Sequence, residues 1–106
     1  MKIRFKSEEL EYFYTTPLSE IKGKLPVSRD ILQQFKKKIQ ILMSIESLDE
    51  LTFFRGLQFE SLKGNRKGEY SIRLNLQYRL IFSKAQDDQL LIEILVINEI
   101  SKHYEQ

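Results

Sequence analysis

The sequence predicts an α+β fold, in which an antiparallel-rich twisted sheet carries two N-terminal helices on one of its faces. Apolar residues alternate with a period of two along the segments 70–74 and 78–82, as in strands with one buried face. Two segments upstream carry apolar residues at the three- and four-residue spacing of helices. Because both helical patterns precede most of the strand patterns, the order favours helices packed together against one sheet.

A short strand and the two helices occupy the first half of the chain. Ile3 and Phe5 alternate with basic residues in the strand. Ser7 then caps the first helix, which must end before Pro17 because the proline ring disfavours helical conformation in the preceding residue. Ser28 begins the second helix. Its predicted apolar face is formed by Ile31, Leu32, Phe35, Ile39, Leu42 and Met43.

Three consecutive lysines, Lys36, Lys37 and Lys38, lie near the middle of the second helix. Such a run of like charges usually marks a solvated helix face, and contact with RNA or the ribosome is the alternative.

A short helical turn and a strand connect the second helix to the alternating segments. Ser47 and Glu50 have the spacing of a capping box, which predicts a helical turn over 48–53. We expect the next strand over 57–62, and the glycines and asparagine of 64–68 predict a turn.

The last strand of the predicted sheet runs from Leu90 to Ile97. This segment is aliphatic apart from Glu93, which is typical of a central strand covered on both faces. A short C-terminal helix is expected to follow, beginning at Asn98 or Ser101.

The two alternating segments form a hairpin that brings two arginines together. If 75–77 is its loop, Ile72 pairs with Leu80, and Arg73 lies directly opposite Arg79 on the other face. Like charges that face each other across two strands repel. An arrangement that costs stability favours a function, so this face is our first candidate for binding an anion.

The segment 62–84 is strongly basic and carries four short motifs. It holds six basic residues against one acidic residue, whereas the whole chain has a net charge of +2. The motifs are Leu62-Lys63-Gly64, Arg66-Lys67-Gly68, Tyr70-Ser71-Ile72-Arg73 and Tyr78-Arg79-Leu80. In this order they resemble the signature of the HigB, or plasmid maintenance killer, toxins of the RelE/ParE superfamily. The resemblance extends from the first strand to about Val96.

The resemblance implies a RelE-like fold and an mRNA-cleaving toxin of a type II toxin-antitoxin system. It further implies that the toxin acts in the ribosomal A site and is neutralised by a cognate helix-turn-helix antitoxin of the HigA type. Two alternatives stay open: a non-catalytic toxin of the same fold that binds a protein target such as gyrase, as the ParE branch does, and a basic domain that binds RNA without cleaving it.

Composition limits the other possibilities. A length of 106 residues suits one domain spanning 1–106, and 42% hydrophobic with 30% charged residues is typical of globular proteins. The first six residues lack the apolar core of a secretory signal, and no apolar run reaches the ~20 residues of a membrane helix. With no cysteine and a single histidine, His103, we expect a cytoplasmic protein without a metal or other cofactor.

A metal-free ribonuclease needs groups that exchange protons and fixed positive charge for the phosphate transition state. Arg79 and Arg73 suit the second role because a guanidinium offers a planar fork of donors and stays charged. Within the resemblance, Arg79 corresponds to a catalytic arginine in an aromatic-Arg-apolar motif, Arg73 to a frequent arginine, and Lys63 to the lysine of Leu-Lys-Gly. For Arg73 and Lys63 the alternative is a structural ion pair with a carboxylate, Glu60, Glu69 or Glu93.

The acid-base groups are predicted near the C-terminus, at Glu99, His103 and Tyr104. Relatives often end on an acidic-Tyr-His sequence, from which the spacing here departs. In a helix His103 would lie one turn from Glu99, whereas a solvated histidine near the terminus is the alternative. Many relatives have a histidine where this chain has Glu60. Glu60, Lys63 or the ribosome itself could therefore exchange the protons.

Other residues of the basic segment are candidates for contacts with RNA. Arg66, Lys67 and Lys84 are expected to bind RNA beside the arginines, and a turn kept soluble by its charges is the alternative for the first two. Tyr70 and Tyr78 could stack on a base, but both fall on the predicted core face, which favours core packing.

Overall fold

Five strands form one sheet in the computed structural model, which describes residues 1–102. In chain order they are β1 (Lys2–Phe5), β2 (Glu60–Ser61), β3 (Glu69–Arg73), β4 (Tyr78–Asp87) and β5 (Ile92–Lys102). Their order across the sheet is β1-β5-β4-β3-β2. β1 pairs with β5 in parallel and the other described pairs are antiparallel, so the antiparallel-rich sheet is confirmed.

Both predicted helices form, and serine caps start them. The helices are α1 (Glu8–Thr15) and α2 (Arg29–Ser44). The hydroxyls of Ser7 and Ser28 each accept a hydrogen bond from the backbone N–H three residues on, at 3.2 and 3.3 Å. These contacts satisfy N–H groups that have no partner inside a helix. α1 ends two residues before Pro17, as expected from the proline ring.

One apolar core lies between the helices and one face of the sheet. Its fully buried members include Leu32, Phe35, Ile39 and Leu42 of α2 and Ile72, Leu80, Phe82, Leu95 and Ile97 of the strands. Phe82 stacks on Tyr70 and Phe59, with ring centroids 5.8 and 6.4 Å away. Tyr70 and Tyr78 pack against this core, the alternative that we favoured over stacking on RNA. Met43, which we assigned to the core face of α2, is exposed.

The register of the β3–β4 hairpin agrees with the prediction. Ile72 pairs with Leu80, and Arg73 pairs with Arg79. The carboxamide of Asn75 holds the loop by accepting hydrogen bonds from the backbone N–H groups two and three residues on, both at 2.8 Å. Asn and Asp side chains commonly hold turns in this way.

The capping box between α2 and β2 is also confirmed. A 3-10 helix spans Leu48–Phe53, and the Glu50 carboxylate accepts hydrogen bonds from the backbone N–H groups of Ser47 and Glu46 at 2.9 and 2.6 Å. These backbone N–H groups favour the ionised carboxylate and lower the pKa of Glu50.

The strand predicted over 57–62 is much shorter in the structure. Leu57 closes a 3-10 turn, Arg55–Leu57, and Gln58 adopts a left-handed backbone with a φ of 46°. This conformation interrupts extended pairing, so β2 contains two residues.

The last strand begins and ends later than predicted. Leu90 and Leu91 belong to the turn before β5, where Leu91 has a φ of 56°. The helix expected from Asn98 or Ser101 is wrong for the residues described, because strand pairing with β4 satisfies the backbone as far as Lys102. β5 lies between β1 and β4, as expected for an interior strand.

A β-bulge interrupts the pairing of β4 with β5. Glu99 pairs with Ile81 and Ile97 pairs with Phe82, which leaves Asn98 as the extra residue on β5. The structure does not describe 103–106, so the roles predicted for His103 and Tyr104 lie outside the described residues. No helix in the part described is long and apolar enough to cross a membrane.

Phe82→Ala should destabilise the fold because Phe82 is fully buried in the aromatic stack. We expect a loss of about 3–5 kcal/mol in the free energy of unfolding, measured by urea denaturation followed by circular dichroism. Phe53→Ala is the matched control, since Phe53 is 82% exposed and its loss should change stability by less than about 0.5 kcal/mol. Equal effects of the two changes would contradict the assigned core.

Candidate active site

The sheet face opposite the helices carries the candidate catalytic residues. Ile72 and Leu80 point into the core, and because side chains alternate along a strand, their neighbours Arg73 and Arg79 lie on the opposite face. Glu99 shares this face, since it pairs with Ile81, two residues along β4 from Arg79. We call the surface formed by Arg73, Arg79 and Glu99 the arginine face.

Gln58 orients the guanidinium of Arg79. Arg79 Nη1 donates to the Gln58 backbone oxygen at 3.1 Å, and Nη2 donates to Gln58 Oε1 at 3.2 Å. Both acceptors are neutral, and no carboxylate within residues 1–102 forms an ion pair with Arg79. A guanidinium has five N–H donors. The contact with Gln58 therefore orients the guanidinium of Arg79. Its positive charge and the N–H donors that Gln58 does not use remain available to an anion.

The charge of Arg73 is likewise not neutralised by any carboxylate of the residues described. It lies opposite Arg79 and lines a cavity between α2 and the β3–β4 loop. Neither Arg73 nor Lys63 forms an ion pair in the described part of the chain, so the structural pairing considered for them is not observed there. Directly opposite residues have Cα atoms about 4.5–5.5 Å apart, close enough for two guanidinium groups to bind one phosphodiester.

Arg66 binds two carboxylates on the arginine face. Its Nε lies 2.9 Å from Glu69 Oε1, and its Nη2 lies 3.4 Å from Glu99 Oε2. The Arg66 guanidinium, followed by a hydrogen bond from Asn98, favours the ionised form of Glu69 and lowers its pKa. In turn, the pKa of Arg66 is raised, mainly by its hydrogen bond to Glu69. Arg66, which we predicted to bind RNA, thus forms ion pairs with Glu69 and Glu99 and orients the Glu99 carboxylate.

The remaining predicted basic residues are spread over the surface. Lys63 and Lys67 are exposed on either side of the 3-10 turn Gly64–Arg66. Lys84 pairs with Leu95 in the sheet and thus lies on the helix side, where its amine is 3.1 Å from Glu93. The structure does not bring Lys84 together with the arginines.

Two residues of the site were missed by sequence reasoning. Gln58 holds Arg79, but its role depends on a left-handed backbone that no local pattern indicates. The amide of Asn98 donates to Glu69 at 2.8 Å and to Ser83 at 2.7 Å. A polar residue inside an aliphatic run was the available signal for Asn98, and we used it to place a helix start.

The arrangement can bind an anion and exchange a proton on one surface. The two arginines supply fixed positive charge, and the partly exposed carboxylate of Glu99 lies on the same face. In residues 1–102, no three His, Cys, Asp or Glu side chains are grouped as a metal site would require.

Comparisons with known proteins give a consistent result. The family described as RelE-like toxin of type II toxin-antitoxin system HigB matches residues 3–96 of this chain. Toxin HigB-1 of Vibrio cholerae serotype O1 is 38% identical over 82 residues, which cover 77% of this chain and 82% of that protein. The family match includes Arg73 and Arg79 and ends before Glu99.

Two solved structures share the fold. The YoeB/ParE toxin from Agrobacterium tumefaciens superposes with a TM-score of 0.57 at 18% identity and covers 98% of this chain and 100% of that one. The YoeB dimer from Staphylococcus aureus gives a TM-score of 0.50 at 19% identity and covers 98% of each chain. These likenesses confirm the predicted α+β fold class.

Glu69→Gln tests the pairing with Arg66. The pKa of Glu69 is lowered on folding, so its carboxylate adds stability above the ordinary glutamate pKa, and this contribution is lost as the pH falls through the folded pKa. We expect the variant to be less stable than the wild type at neutral pH, and the difference to shrink between about pH 5 and pH 3. Urea denaturation over this range measures it. The exposed Glu60, changed to Gln, is the control, and a pH-independent difference would contradict the pairing.

Proposed function

This chain belongs to the RelE-like HigB toxins of type II toxin-antitoxin systems, and we propose that it is an endoribonuclease that cleaves mRNA in the ribosomal A site. The observation that carries the proposal is the opposed pair Arg73 and Arg79, whose charges no carboxylate of residues 1–102 neutralises. Repulsion between them costs stability, and a phosphate bound there would relieve it.

In the proposed reaction the 2′-hydroxyl oxygen of one nucleotide attacks the adjacent phosphorus, and the 5′-oxygen of the next nucleotide leaves. Negative charge grows on the non-bridging oxygens as the bond forms. Arg79 donates to these oxygens, and because Gln58 already orients its guanidinium, little reorganisation is needed during the reaction. Arg73 adds a second charge on the neighbouring strand. The fixed charge of this reaction comes from arginines, so we propose that it proceeds without a metal ion.

Two proton transfers complete the reaction, one from the 2′-hydroxyl and one to the leaving oxygen. Glu99 is our candidate for one of them, since Arg66 orients its carboxylate on the arginine face. His103 and Tyr104 are proposed for the other, on the strength of the family resemblance, and Lys63 remains a candidate. Glu60 also shares the face, because it pairs with Ser71, and Ser71 lies two residues from Arg73 along β3.

Membership of a type II toxin family implies an antitoxin partner. We propose a helix-turn-helix antitoxin of the HigA type, which neutralises this toxin in the cytoplasm until translation is to be arrested. The basic arginine face would suit an acidic or apolar segment of that partner.

Arg79→Ala tests the central role of this arginine. Loss of one transition-state contact typically costs about 3–4 kcal/mol, so we expect cleavage to slow by a factor of about 100–1000 while the protein stays folded. Arg79→Lys should also be impaired, because an amine keeps the charge without the fork. Primer extension on mRNA in a translating extract, with and without intact ribosomes, measures cleavage, and growth on induction measures toxicity.

Arg55→Ala is the matched control, because it removes the same charge from an exposed position next to the site. Full cleavage by Arg79→Ala would refute the proposed role. Growth arrest by the wild type without any mRNA cleavage would instead favour the toxin that binds a protein target. RNA binding without cleavage or growth arrest would favour the non-catalytic RNA-binding domain.

His103→Gln tests the proposed proton transfer. An imidazole titrates near neutral pH, and a positioned acid or base contributes about 100-fold or more to the rate. We expect the variant to lose about this factor in ribosome-dependent cleavage and to lose one limb of the pH–rate profile. Cleavage at the wild-type rate would show that His103 does not transfer a proton. The proton transfer would then be assigned to Glu60, Glu99, Lys63 or the ribosome.

A further inference from the structure

A cavity of about 450 Å³ lies between α2 and the β3–β4 loop, beside the arginine face. This volume falls within the ~300–1,000 Å³ of small-molecule sites and is large enough for one nucleotide. Its lining includes three residues with carboxamides, Gln33, Gln34 and Asn75, and three with charges, Lys38, Arg73 and Asp30. Its lining is thus rich in hydrogen-bonding residues and carries two positive charges and one negative charge.

Neither positive charge in the cavity is neutralised by a carboxylate of residues 1–102. The amine of Lys38 donates to Gln34 Oε1 at 3.0 Å, and Arg73 forms no ion pair there. Asp30 also lines the cavity, but it forms no ion pair with either residue in the described part of the chain. Partial burial, then the charges of Lys37 and Arg73, lower the pKa of Lys38, as expected for an amine near other cations that forms no ion pair within residues 1–102.

The structure separates the three consecutive lysines of α2 into different roles. The amine of Lys36 donates to the backbone oxygens of Tyr14 and Thr16, at 2.7 and 2.6 Å, and so joins α2 to the end of α1. Lys37 is exposed and does not line the cavity, whereas Lys38 is half-buried and does. The run is therefore more than a solvated helix face.

The cavity shares one residue, Arg73, with the arginine face. Arg73 belongs to both, because it pairs with Arg79 and lines the cavity. Gly56 lines the cavity as well, and Gln58, two residues further on, binds the guanidinium of Arg79. An RNA strand that placed one phosphate at Arg79 could place a neighbouring nucleotide in the cavity.

We propose that this cavity is a nucleotide-binding subsite for the RNA strand, in which Lys38 holds a backbone phosphate and the carboxamides contact the same nucleotide. Arg73 borders both this subsite and the phosphate bound at Arg79. The inference rests on the proposed ribonuclease function and adds to it a place where the strand next to the cleaved bond is bound. Amide groups can both donate and accept hydrogen bonds, so they can contact the edge of a base as well as the sugar.

Two variants test the subsite by different means. Lys38→Gln removes one charge from the cavity, and Lys37→Gln is its matched control, with the same change on the adjacent residue outside the cavity. Gly56→Gln adds a side chain at the wall of the cavity without changing the charge. A Cβ atom at Gly56 would meet no atom within 4 Å, so a side chain can begin there without a clash.

Binding of a short unstructured single-stranded RNA, followed by fluorescence anisotropy, is the measurement. We expect Lys38→Gln and Gly56→Gln to weaken binding about fivefold to tenfold, and Lys37→Gln to weaken it less than about twofold. For Lys38→Gln, the slope of log affinity against log salt should also fall by roughly 0.7, the value for one phosphate contact to a single strand.

Equal losses in Lys38→Gln and Lys37→Gln, or no loss in Lys38→Gln and Gly56→Gln, would overturn the subsite. A Lys38→Gln protein that loses affinity for a polyglutamate peptide but not for RNA would show that an acidic chain occupies the cavity instead. Cleavage by the wild type with undiminished RNA binding by the variants would refute the subsite alone. Lys38-dependent RNA binding by a wild-type protein that cleaves no mRNA would refute the ribonuclease and keep the subsite.

Discussion

The pairing of β3 with β4 determines most of what this structure presents to its surroundings. Its register places Ile72 and Leu80 in the core, and the same alternation places Arg73 and Arg79 on the other side. A slip of one residue would exchange the two sets, burying charges and exposing the core. The register therefore cannot change without destroying both the core and the arginine face, and the carboxamide of Asn75 holds the loop that sets it.

The arginine face combines charges that are satisfied with charges that are not. Arg66 is held between two carboxylates, and Asn98 completes the cluster, so the charges in this part of the face are paired or hydrogen-bonded. Arg79 is held by Gln58, which is neutral and therefore does not cancel the positive charge of the guanidinium. Two arginines without carboxylate partners among residues 1–102 suit a site that binds phosphate. Gln58 orients the guanidinium of Arg79 before the phosphate binds, so less reorganisation is needed.

Local patterns predicted the elements that local chemistry controls, and failed where distant residues decide. Ser7 and Ser28 start helices because they satisfy neighbouring N–H groups, and the alternation of apolar residues was enough to set the hairpin. Asn98 looked like a helix start, but a paired strand already satisfied the backbone there and made it a bulge. Gln58 binds Arg79 from another part of the chain, and the cavity beside Lys38 is lined by three separate segments. The spacing of residues in the sequence could not predict either feature.

The parallel pairing of β1 with β5 has a consequence for synthesis of the chain. Lys2 pairs with Ile94, so the first strand made by the ribosome finds its neighbour only when the last one has been made. Ser101, the neighbour of Arg79 on β5, also comes late. Contacts between distant segments form slowly, and a growing chain lacks them altogether. A partly synthesised chain that lacks β5 therefore has no partner for β1 and cannot complete the sheet that carries the arginine face.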